Sequence, residues 1–407
     1  NQVFPFVNSM DNFYSHQHPD GFICREIHSD GSDCFERYDP VSTGPNLLPM
    51  AEMKFFRQYG DNDRLFKVFP ALCAYNKWLQ LNRTWPDGSY WSSGWGSGMD
   101  NMPRVGSGYN PIYSNGHMTW LDTMLQQYMV DRMLLDIGFH TERWQEIEDF
   151  EDEMSFLKKY VNENMWDEKT GFLYDRNADG SLCKTKGISA FWALQTDILD
   201  KDRMDRLVAH LSDSSEFART HMVPSLSADH PKYKDNGRYW QGGVWPGANY
   251  MVIDGLYKQG YKDLAYKVAA NDYANILEIY KNTGTFWEYC APETAEPGFM
   301  ARKNFVGWGG LAPISEFIEF ILGIHSDCAE NLITWELNQT EAHGIDRLPF
   351  GTEGLISLQA ASRANVSQTP KITVSSNVEF DLVVNWGDGK SSGKIHVSPG
   401  KKISLKL

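Results

Sequence analysis

The chain has 407 residues and is acidic, with 53 Asp and Glu against 38 Lys and Arg and a formal net charge of −15. Its 42% hydrophobic content can bury a large core, which excludes disordered and fibrous proteins. The absence of clustered Lys and Arg argues against a nucleic-acid partner. No apolar stretch approaches the roughly 18 residues of a membrane span. We therefore expect a soluble protein without nucleic-acid or membrane partners.

The six cysteines lie far apart, without a CxxC pair or histidines at zinc spacing. They predict scattered thiols, with a Cys24–Cys34 disulfide as the alternative. Because the chain begins at Asn1 rather than Met, we expect a processed product that is extracytoplasmic, either periplasmic or secreted. Nothing in the sequence indicates an oligomeric state.

Helical spacing of apolar residues runs from about residue 46 to residue 325. The predicted helices cover residues 63–81, 121–129, 147–161, 263–282 and 315–323. Gly138 is predicted to end the second of these helices and Thr141 to begin the third.

After Cys328 the pattern changes to the alternation of β-strands. The predicted strands cover residues 332–337, 354–359, 372–374, 378–386 and 395–407. We therefore predict a mainly α chain in two domains, a helical body at residues 1–327 and an all-β domain at residues 328–407 packed on it.

Three long connections, residues 85–116, 225–248 and 283–310, are rich in Gly, Pro, Trp and Tyr. Loops of this length in a compact domain are usually functional or disordered, and an aromatic-rich loop is a poor candidate for disorder. The sequence therefore predicts a binding or catalytic site in these three loops.

The first two loops carry residues suited to a sugar. In the first, Asp100 follows a glycine-rich segment with two Trp rings, where the backbone can approach a ligand closely. In the second, Tyr239-Trp240-Gln241 begins a run of rings and amides, which match the C–H faces and hydroxyl groups of sugars. The alternatives are a Gly/Ser surface loop for the first and a glycine-rich turn buried by aromatic rings for the second.

The third loop places Glu288 between Trp287 and Tyr289. Two carboxyl groups on separate aromatic loops meet the requirement of glycoside hydrolysis. One protonates the leaving oxygen, and the other either activates water or attacks the sugar.

Three ordered segments carry a resemblance to a known family. They are Gly98-Met-Asp100-Asn-Met-Pro103-Arg104, Tyr239-Trp-Gln-Gly-Gly-Val-Trp245-Pro246, and Phe286-Trp-Glu288-Tyr289 followed by Gly307-Trp308. Together they resemble glycoside hydrolase family 63, which includes processing α-glucosidases, bacterial α-glucosidases and mannosylglycerate hydrolases and is related to the family 37 trehalases. The resemblance covers about residues 1–325.

The resemblance implies an (α/α)6 barrel, a helical toroid, and inverting, exo-acting hydrolysis of an α-linked sugar, first of all an α-glucoside. It makes Asp100 the general acid and Glu288 the general base, with Glu293 as the fallback base. The sugar is expected to contact Trp95, Asn101, Arg104, Asp122, Trp240, Gln241, Trp245, Asn249 and Trp308.

The chain departs from the family pattern near its beginning. The large N-terminal β-domain of many members is not expected in this chain, and the family's early Trp-Asp motif is not clearly matched. Gln17 and Asp20 occupy the corresponding stretch and are the candidates for that part of the sugar site.

No metal or other cofactor is expected. His16 and His18 predict a hydrogen-bonding pair rather than metal ligands. Asp175, Asn177 and Asp179 match the first half of a calcium loop, but the twelfth position is Lys186 instead of Glu. A simple turn is predicted there, with a structural calcium ion as the alternative.

Three alternatives to an α-glucosidase remain from the sequence. The first is an α-glycoside hydrolase for mannosylglycerate or trehalose. The second is a sugar isomerase or epimerase, which would use histidines, yet none lies in the three motif segments and His117 lies just beyond the first loop. The third is a non-catalytic carbohydrate-binding protein.

Overall fold

The computed structural model describes residues 6–147 and 149–407. Helices dominate up to residue 321, which agrees with the mainly α prediction. The helices are α1 (Phe6–Ser15), α2 (Leu48–Tyr59), α3 (Asn62–Asn82), α4 (Gly94–Ser97), α5 (Leu121–His140), α6 (Phe150–Asn164), α7 (Lys201–Ala209), α8 (Pro246–Lys258) and α9 (Lys262–Thr283). Shorter 3₁₀ helices cover Trp144–Glu146, Ile188–Gln195, His210–Ser212 and Trp308–Gly310, and a π-helix covers Ala312–Ile321.

Local sequence signals explain several helix ends. The side chain of Asp61 accepts a hydrogen bond from the main chain of Arg64 at the start of α3. Pro246 is the first residue of α8, where its missing N–H costs nothing. The prediction for Thr141 is wrong, because its hydroxyl bonds back to Ile137 at the end of α5 and α6 begins later, at Phe150.

The strands after residue 323 form two four-stranded sheets. One has the order β3-β4-β8-β9, with β4 and β8 parallel, and the other has the order β10-β7-β6-β5. The strands are β1 (Trp166–Asp167), β2 (Phe172–Leu173), β3 (Ile324–Asp327), β4 (Leu332–Leu337), β5 (His343–Phe350), β6 (Gly354–Ala360), β7 (Lys371–Ser376), β8 (Phe380–Trp386), β9 (Lys390–Val397) and β10 (Lys402–Lys406). The predicted strand over residues 395–407 is wrong, because that segment contains the end of β9, a turn and β10.

The helical part and the paired sheets have separate apolar cores. Side chains from both sheets, among them Trp335, Phe350 and Phe380, share one buried cluster. Phe317 of the π-helix contacts this cluster and the larger helical core. Glu336 of β4 adds polar contacts, accepting hydrogen bonds from Lys262 at 2.7 Å and from Tyr257 at 3.1 Å. The sheets therefore pack against the π-helix through Phe317 and are hydrogen-bonded to α8 and α9 through Glu336.

The structure also bears on the predictions about membrane spans and cysteines. Within the described ranges, no helix has the length and apolar character needed to cross a bilayer. All six cysteines fall in those ranges as free thiols, including Cys24 and Cys34, for which a disulfide was the alternative.

Candidate active site

The three motif loops meet at one cavity of about 570 Å³. The 3₁₀ helix at residues 188–195 and the first turns of α8 complete its sides. Six of the residues predicted for the site face it, and we call this set the cavity wall: Asp100, Glu288, Trp95, Trp240, Trp245 and Trp308. The three motif loops therefore converge in the fold.

Asp100 is placed by the short helix α4. The Ser93 hydroxyl caps this helix by accepting a hydrogen bond from the main chain of Gly96. Gly98 ends the helix with a φ of 75°, a left-handed conformation that favours glycine. A side chain at Gly94 would lie 2.1 Å from the carbonyl oxygen of Pro111 and 2.6 Å from that of Asp100. Glycine is therefore required where this loop folds onto itself below the carboxylate.

The Asp100 carboxyl group accepts a hydrogen bond of 3.2 Å at Oδ2 from the hydroxyl of Tyr239. Burial raises the pKa of Asp100 above its usual value, and the Tyr239 hydrogen bond and the charge of Arg25 offset only part of this. A carboxyl group with a raised pKa holds its proton to higher pH, as a general acid must.

Glu288 lies on the third loop with its side chain buried. Its main-chain N–H donates to the Arg302 carbonyl at 3.0 Å, and its carbonyl accepts a hydrogen bond of 2.5 Å from Trp308 Nε1. Oε2 accepts a hydrogen bond of 3.4 Å from the main chain of Arg302 and lies 3.8 Å from Arg302 Nε. These contacts fix the backbone of Glu288 while its carboxylate remains on the cavity wall.

Stacked rings form one side of the cavity. Trp240 and Trp245 stack with centroids 4.2 Å apart and an interplanar angle of 5°, and Tyr289 continues the stack at 4.5 Å from Trp245. Trp308, tilted by 59° to Trp245, is the most exposed of these rings. Such rings offer flat apolar faces of the kind that the C–H faces of sugars stack against.

Several polar residues that line the cavity are absent from the predicted set of site residues, among them Tyr239, Arg25 and Arg302. Tyr239 precedes Trp240 in the second motif, so its position in the motif was available as a signal. Arg25 lies in the N-terminal segment and Arg302 follows Glu288 by fourteen positions. Nothing in the residue pattern links either arginine to the three loops.

Arg104 and Asp122, predicted to bind the sugar, instead lie behind the cavity wall in a buried ion cluster. The Arg104 guanidinium donates to both oxygens of Asp122 at 2.7 and 2.9 Å. It also donates to both oxygens of Asp175 at 2.5 and 2.8 Å, and it lies 4.2 Å from the centroid of the Trp120 ring. Because all three charged groups are at most 4% exposed and satisfy one another, they anchor the loop after Asp100.

Asn101, Gln241 and Asn249 also lie outside the cavity wall. Asn101 Oδ1 accepts a hydrogen bond of 2.8 Å from the main chain of Trp240, and Gln241 Nε2 donates to the Asn101 carbonyl at 3.2 Å. Asn249 is fully buried and donates to the Met222 carbonyl at 3.2 Å. Asn101 and Gln241 therefore tie the first loop to the second, which brings Asp100 to Tyr239.

Gln17 and Asp20 are engaged away from the cavity wall. Gln17 Nε2 donates to the carbonyls of Gly21 and Ala71 at 3.0 and 2.8 Å. Asp20 Oδ2 accepts hydrogen bonds from Arg37 at 2.9 Å and from Trp78 Nε1 at 3.2 Å. Both side chains stabilise the packing of the N-terminal segment against α3.

Glu293, the fallback base, lies outside the cavity wall and has its own partners. Arg219 donates to its two oxygens at 2.8 and 3.1 Å, and the Tyr233 hydroxyl donates at 2.7 Å. Burial acts to raise its pKa, yet these donors hold the pKa of Glu293 below its ordinary value. Of the two residues considered for the base, the cavity therefore contains Glu288.

The candidate metal ligands take part in protein contacts. Asp175 binds Arg104, while Asp179 accepts hydrogen bonds from the main chain and hydroxyl of Ser181 at 2.9 and 2.6 Å, as in a simple turn. His18 lies 2.7 Å from an oxygen of Asp33, and His16 contacts the Asn12 carbonyl. Among residues 6–147 and 149–407, no group of three or more His, Cys, Asp or Glu side chains is arranged to hold a metal ion.

Comparison with known proteins connects this site to a family. The model of the mannosylglycerate hydrolase MGH1-like glycoside hydrolase domain matches residues 8–308. An uncharacterized protein of Borreliella burgdorferi is 24% identical over 362 residues, covering 86% of this chain and 74% of that protein. A probable mannosyl-oligosaccharide glucosidase of Schizosaccharomyces pombe is 24% identical over 233 residues, covering 53% of this chain but only 28% of that protein.

A solved structure has a similar fold. The GH63 mannosylglycerate hydrolase from Thermus thermophilus in complex with glucose aligns with a TM-score of 0.62 and 21% identity. The alignment covers 76% of this chain and 86% of that one. The resemblance to family 63 found in the sequence motifs is thus confirmed, and the chain belongs to the mannosylglycerate hydrolase MGH1-like glycoside hydrolase family.

Proposed function

We propose that the chain is an inverting, exo-acting hydrolase of an α-linked sugar, with Asp100 as the general acid and Glu288 as the general base. The observation that carries the proposal is the position of both carboxyl groups on the wall of one aromatic cavity, on separate loops. Inverting glycosidases use two such carboxyl groups, set about 6.5 to 9.5 Å apart so that a water molecule fits between the base and the sugar.

The surroundings of the two carboxyl groups support their assignment to different roles. Burial keeps Asp100 protonated to higher pH than an exposed aspartate. Glu288 lies beside the cation of Arg302, which balances the negative charge of a base before it takes up a proton. Asp100 therefore suits proton donation, and Glu288 suits proton acceptance.

The reaction follows from these roles. Asp100 gives its proton to the leaving oxygen as the bond from that oxygen to the anomeric carbon breaks. A water molecule forms the new bond to the anomeric carbon from the opposite face and gives its proton to Glu288. The released sugar then has the inverted configuration.

The aromatic wall supports attack at the end of a sugar chain. Trp240 and Trp245 line one side of the cavity, and the buried ring of Tyr289 continues their stack behind them. Within the described part of the chain, the buried indole Nε1 of Trp240 has no hydrogen-bond partner. A buried donor without a partner is costly, so this ring is held in place at the expense of one hydrogen bond.

The substrate of first choice is an α-glucoside. The name of the Schizosaccharomyces pombe relative, a probable mannosyl-oligosaccharide glucosidase, supports this choice. Mannosylglycerate is the second candidate, and the name of the matching family supports it. Glucose and mannose differ only in the configuration of one hydroxyl group, so an assay with each substrate is needed to decide between them.

We also propose that the helices close into an (α/α)6 barrel and that the chain forms two domains, with the boundary predicted at residue 328 moved to Ile324. The alignment with the Thermus thermophilus structure supports a shared helical fold. The separate apolar core of the paired sheets supports a distinct C-terminal unit. Strand β3 at Ile324–Asp327 joins the same sheet as β4, so that unit includes the residues just before 328.

A substrate panel with detection of the first product tests the function. The purified chain is given α-linked disaccharides of glucose, trehalose and mannosylglycerate, and NMR follows the anomer that appears first. We expect hydrolysis of at least one α-glycoside with the β-anomer appearing first. An initial α-anomer would contradict inversion, and interconversion of free sugars without hydrolysis would instead indicate an isomerase.

A further inference from the structure

The side chain of Tyr239 lies beside both proposed catalytic carboxyl groups. It lines the cavity together with Asp100 and Glu288, and its hydroxyl donates to Asp100 Oδ2 at 3.2 Å. Burial, followed by the negative charges of Asp100 and Glu288, raises the pKa of Tyr239 above its ordinary value. The phenol therefore keeps its proton and remains a donor throughout the pH range in which glycosidases work.

The backbone holds Tyr239 in a conformation that few residues other than glycine adopt. Its φ is 58°, in the left-handed region. Its carbonyl accepts hydrogen bonds from the main chain of Gly243 at 3.0 Å and from Trp245 Nε1 at 3.3 Å. Its ring packs edge-on against Trp245 and Tyr289 at 5.0 and 5.5 Å between centroids. The surrounding contacts thus fix both the backbone and the ring, and with them the direction of the hydroxyl.

We propose that Tyr239 is a positioning residue for the general acid. Its hydroxyl donates a hydrogen bond to Oδ2 of Asp100, and Oδ1 is therefore the oxygen that carries the proton for the leaving group. This inference rests on the proposed function of Asp100.

The role of the hydrogen bond changes during the reaction. The O–H bond at Asp100 Oδ1 breaks, and the proton goes to the leaving oxygen, which also takes the electron pair of its bond to the anomeric carbon. Water bonds to that carbon, and Glu288 takes the proton that the water loses. Tyr239 keeps its own proton and now donates to an ionised carboxylate, and such a charge-assisted bond is stronger than the neutral one. The contact therefore stabilises the transition state more than the ground state.

The pH dependence of the reaction reports this contact. The other charged side chains that line the cavity are Arg25, Glu26, Glu288 and Arg302. Burial raises the pKa of Asp100, and the Tyr239 hydrogen bond is the largest effect that lowers it. Without the hydroxyl, the pKa of Asp100 rises further. The alkaline limb of kcat/KM, which reports loss of the acid's proton, then moves to higher pH.

The test is Tyr239→Phe, which keeps the ring and removes only the hydroxyl. The variant is assayed on a disaccharide that the wild type cleaves and on the matching glycosyl fluoride, whose leaving group needs little help from an acid. We expect kcat to fall about tenfold or more on the disaccharide and less than about threefold on the fluoride. We also expect the alkaline limb of kcat/KM to move to higher pH.

Tyr289→Phe is the matched control. It makes the same chemical change in the same ring stack, but its hydroxyl donates to the Phe299 carbonyl at 2.6 Å instead of to a carboxylate. We expect this variant to affect both substrates equally and to leave the pH profile in place. Melting temperatures of both variants check that the fold is intact.

The outcomes separate the inference from the function on which it rests. If the wild type hydrolyses no α-glycoside, or Asp100→Asn retains its activity, the proposed function is wrong and the inference falls with it. If the function holds, an unmoved alkaline limb or equal losses on the disaccharide and the fluoride in Tyr239→Phe overturn the positioning role. In an Asp100→Asn background, Tyr239→Phe should cause no further loss, because its effect acts through Asp100.

Discussion

Two layers of polar residues at the site, one on the cavity and one behind it, differ in how many hydrogen bonds their carboxyl groups accept from other side chains. The cavity wall contains Asp100, whose carboxyl group accepts one side-chain hydrogen bond of 3.2 Å, from Tyr239. The layer behind it, which we call the bracing layer, consists of Asn101, Arg104, Asp122, Asp175 and Asn249. In that layer Asp122 receives two hydrogen bonds of 2.7 and 2.9 Å from a guanidinium group.

The difference shows how one motif separates chemistry from support. A carboxylate bound to a buried guanidinium keeps its charge, because protonating it would leave the cation without its partner. A partly buried carboxyl group with a single neutral donor, such as Asp100, can gain and lose its proton without leaving a cation unpaired. Asp100 and Arg104 are only four residues apart, so this division arises within one short loop.

The largest effect is expected from Asp100→Asn and Glu288→Gln. Each replacement keeps the shape of the side chain but removes an acid or a base, and we expect kcat to fall by about 10³-fold or more. Burial raises the pKa of Asp100, so its ionised form is disfavoured in the folded state. At neutral pH the Asp100→Asn protein should therefore melt at the same temperature as the wild type or higher. In acid, where the carboxyl group is protonated in both states, that difference should disappear.

Asp179→Asn is the control for this first prediction. Asp179 is an exposed turn residue that accepts a hydrogen bond from Ser181 and does not line the cavity. The same chemical change there should leave kcat unchanged. Activity near that of the wild type in either cavity variant would contradict the assignment of acid and base.

The second prediction concerns the stability of the bracing layer. Arg104→Met leaves Asp122 and Asp175 buried without their cation, and we expect unfolding to require about 3 to 5 kcal/mol less free energy. Arg132→Met, which breaks the exposed ion pair between Arg132 and Asp197, should cost about 0 to 1 kcal/mol. Urea titration of both variants measures the difference. Equal losses would show that the buried cluster does not anchor the loop.

The sequence allowed the loops of the site to be predicted, but not the layer to which each polar residue belongs. Loop length, aromatic content and motif order were sufficient to identify the three loops that surround the cavity. In irregular backbone there is no period to show which side chains face inward, unlike in helices and strands. Arg104, Asp122 and Asn249 were therefore assigned to the sugar, although the fold uses them for support.

The same limit of pattern analysis appears in the β region. The alternating apolar residues of β4 and β6 were visible in the sequence, and their predicted positions agree with the structure. Strand β5 was missed because most of its first five residues are polar and a bulge between Ile345 and Leu348 breaks its alternation. Strand β3 is only four residues long and directly follows the π-helix, so helical spacing concealed it.

The third prediction tests the contact between the two layers. Asn101→Ala removes the hydrogen bond to the main chain of Trp240, which holds the second loop against the turn that carries Asp100. Since Tyr239 then loses its fixed position relative to Asp100, we expect kcat to fall about tenfold. Gln241→Ala removes only the contact with the Asn101 carbonyl at 3.2 Å, so its effect should be smaller. An equal or larger loss in Gln241→Ala would contradict this order.

The smallest effect is expected from the charge of Arg25, which also lines the cavity. Burial raises the pKa of Asp100, and Arg25 acts in the opposite direction because a cation favours the ionised carboxylate. Arg25→Gln should therefore raise that pKa further and move the alkaline limb of kcat/KM to higher pH. Lys303→Gln removes the same charge from an exposed residue outside the cavity lining and should leave the limb in place. Added salt should reduce the effect of Arg25, because its charge is partly accessible to ions. A shift of the alkaline limb to lower pH in Arg25→Gln, or equal shifts in both variants, would mean that the charge of Arg25 does not lower the pKa of Asp100.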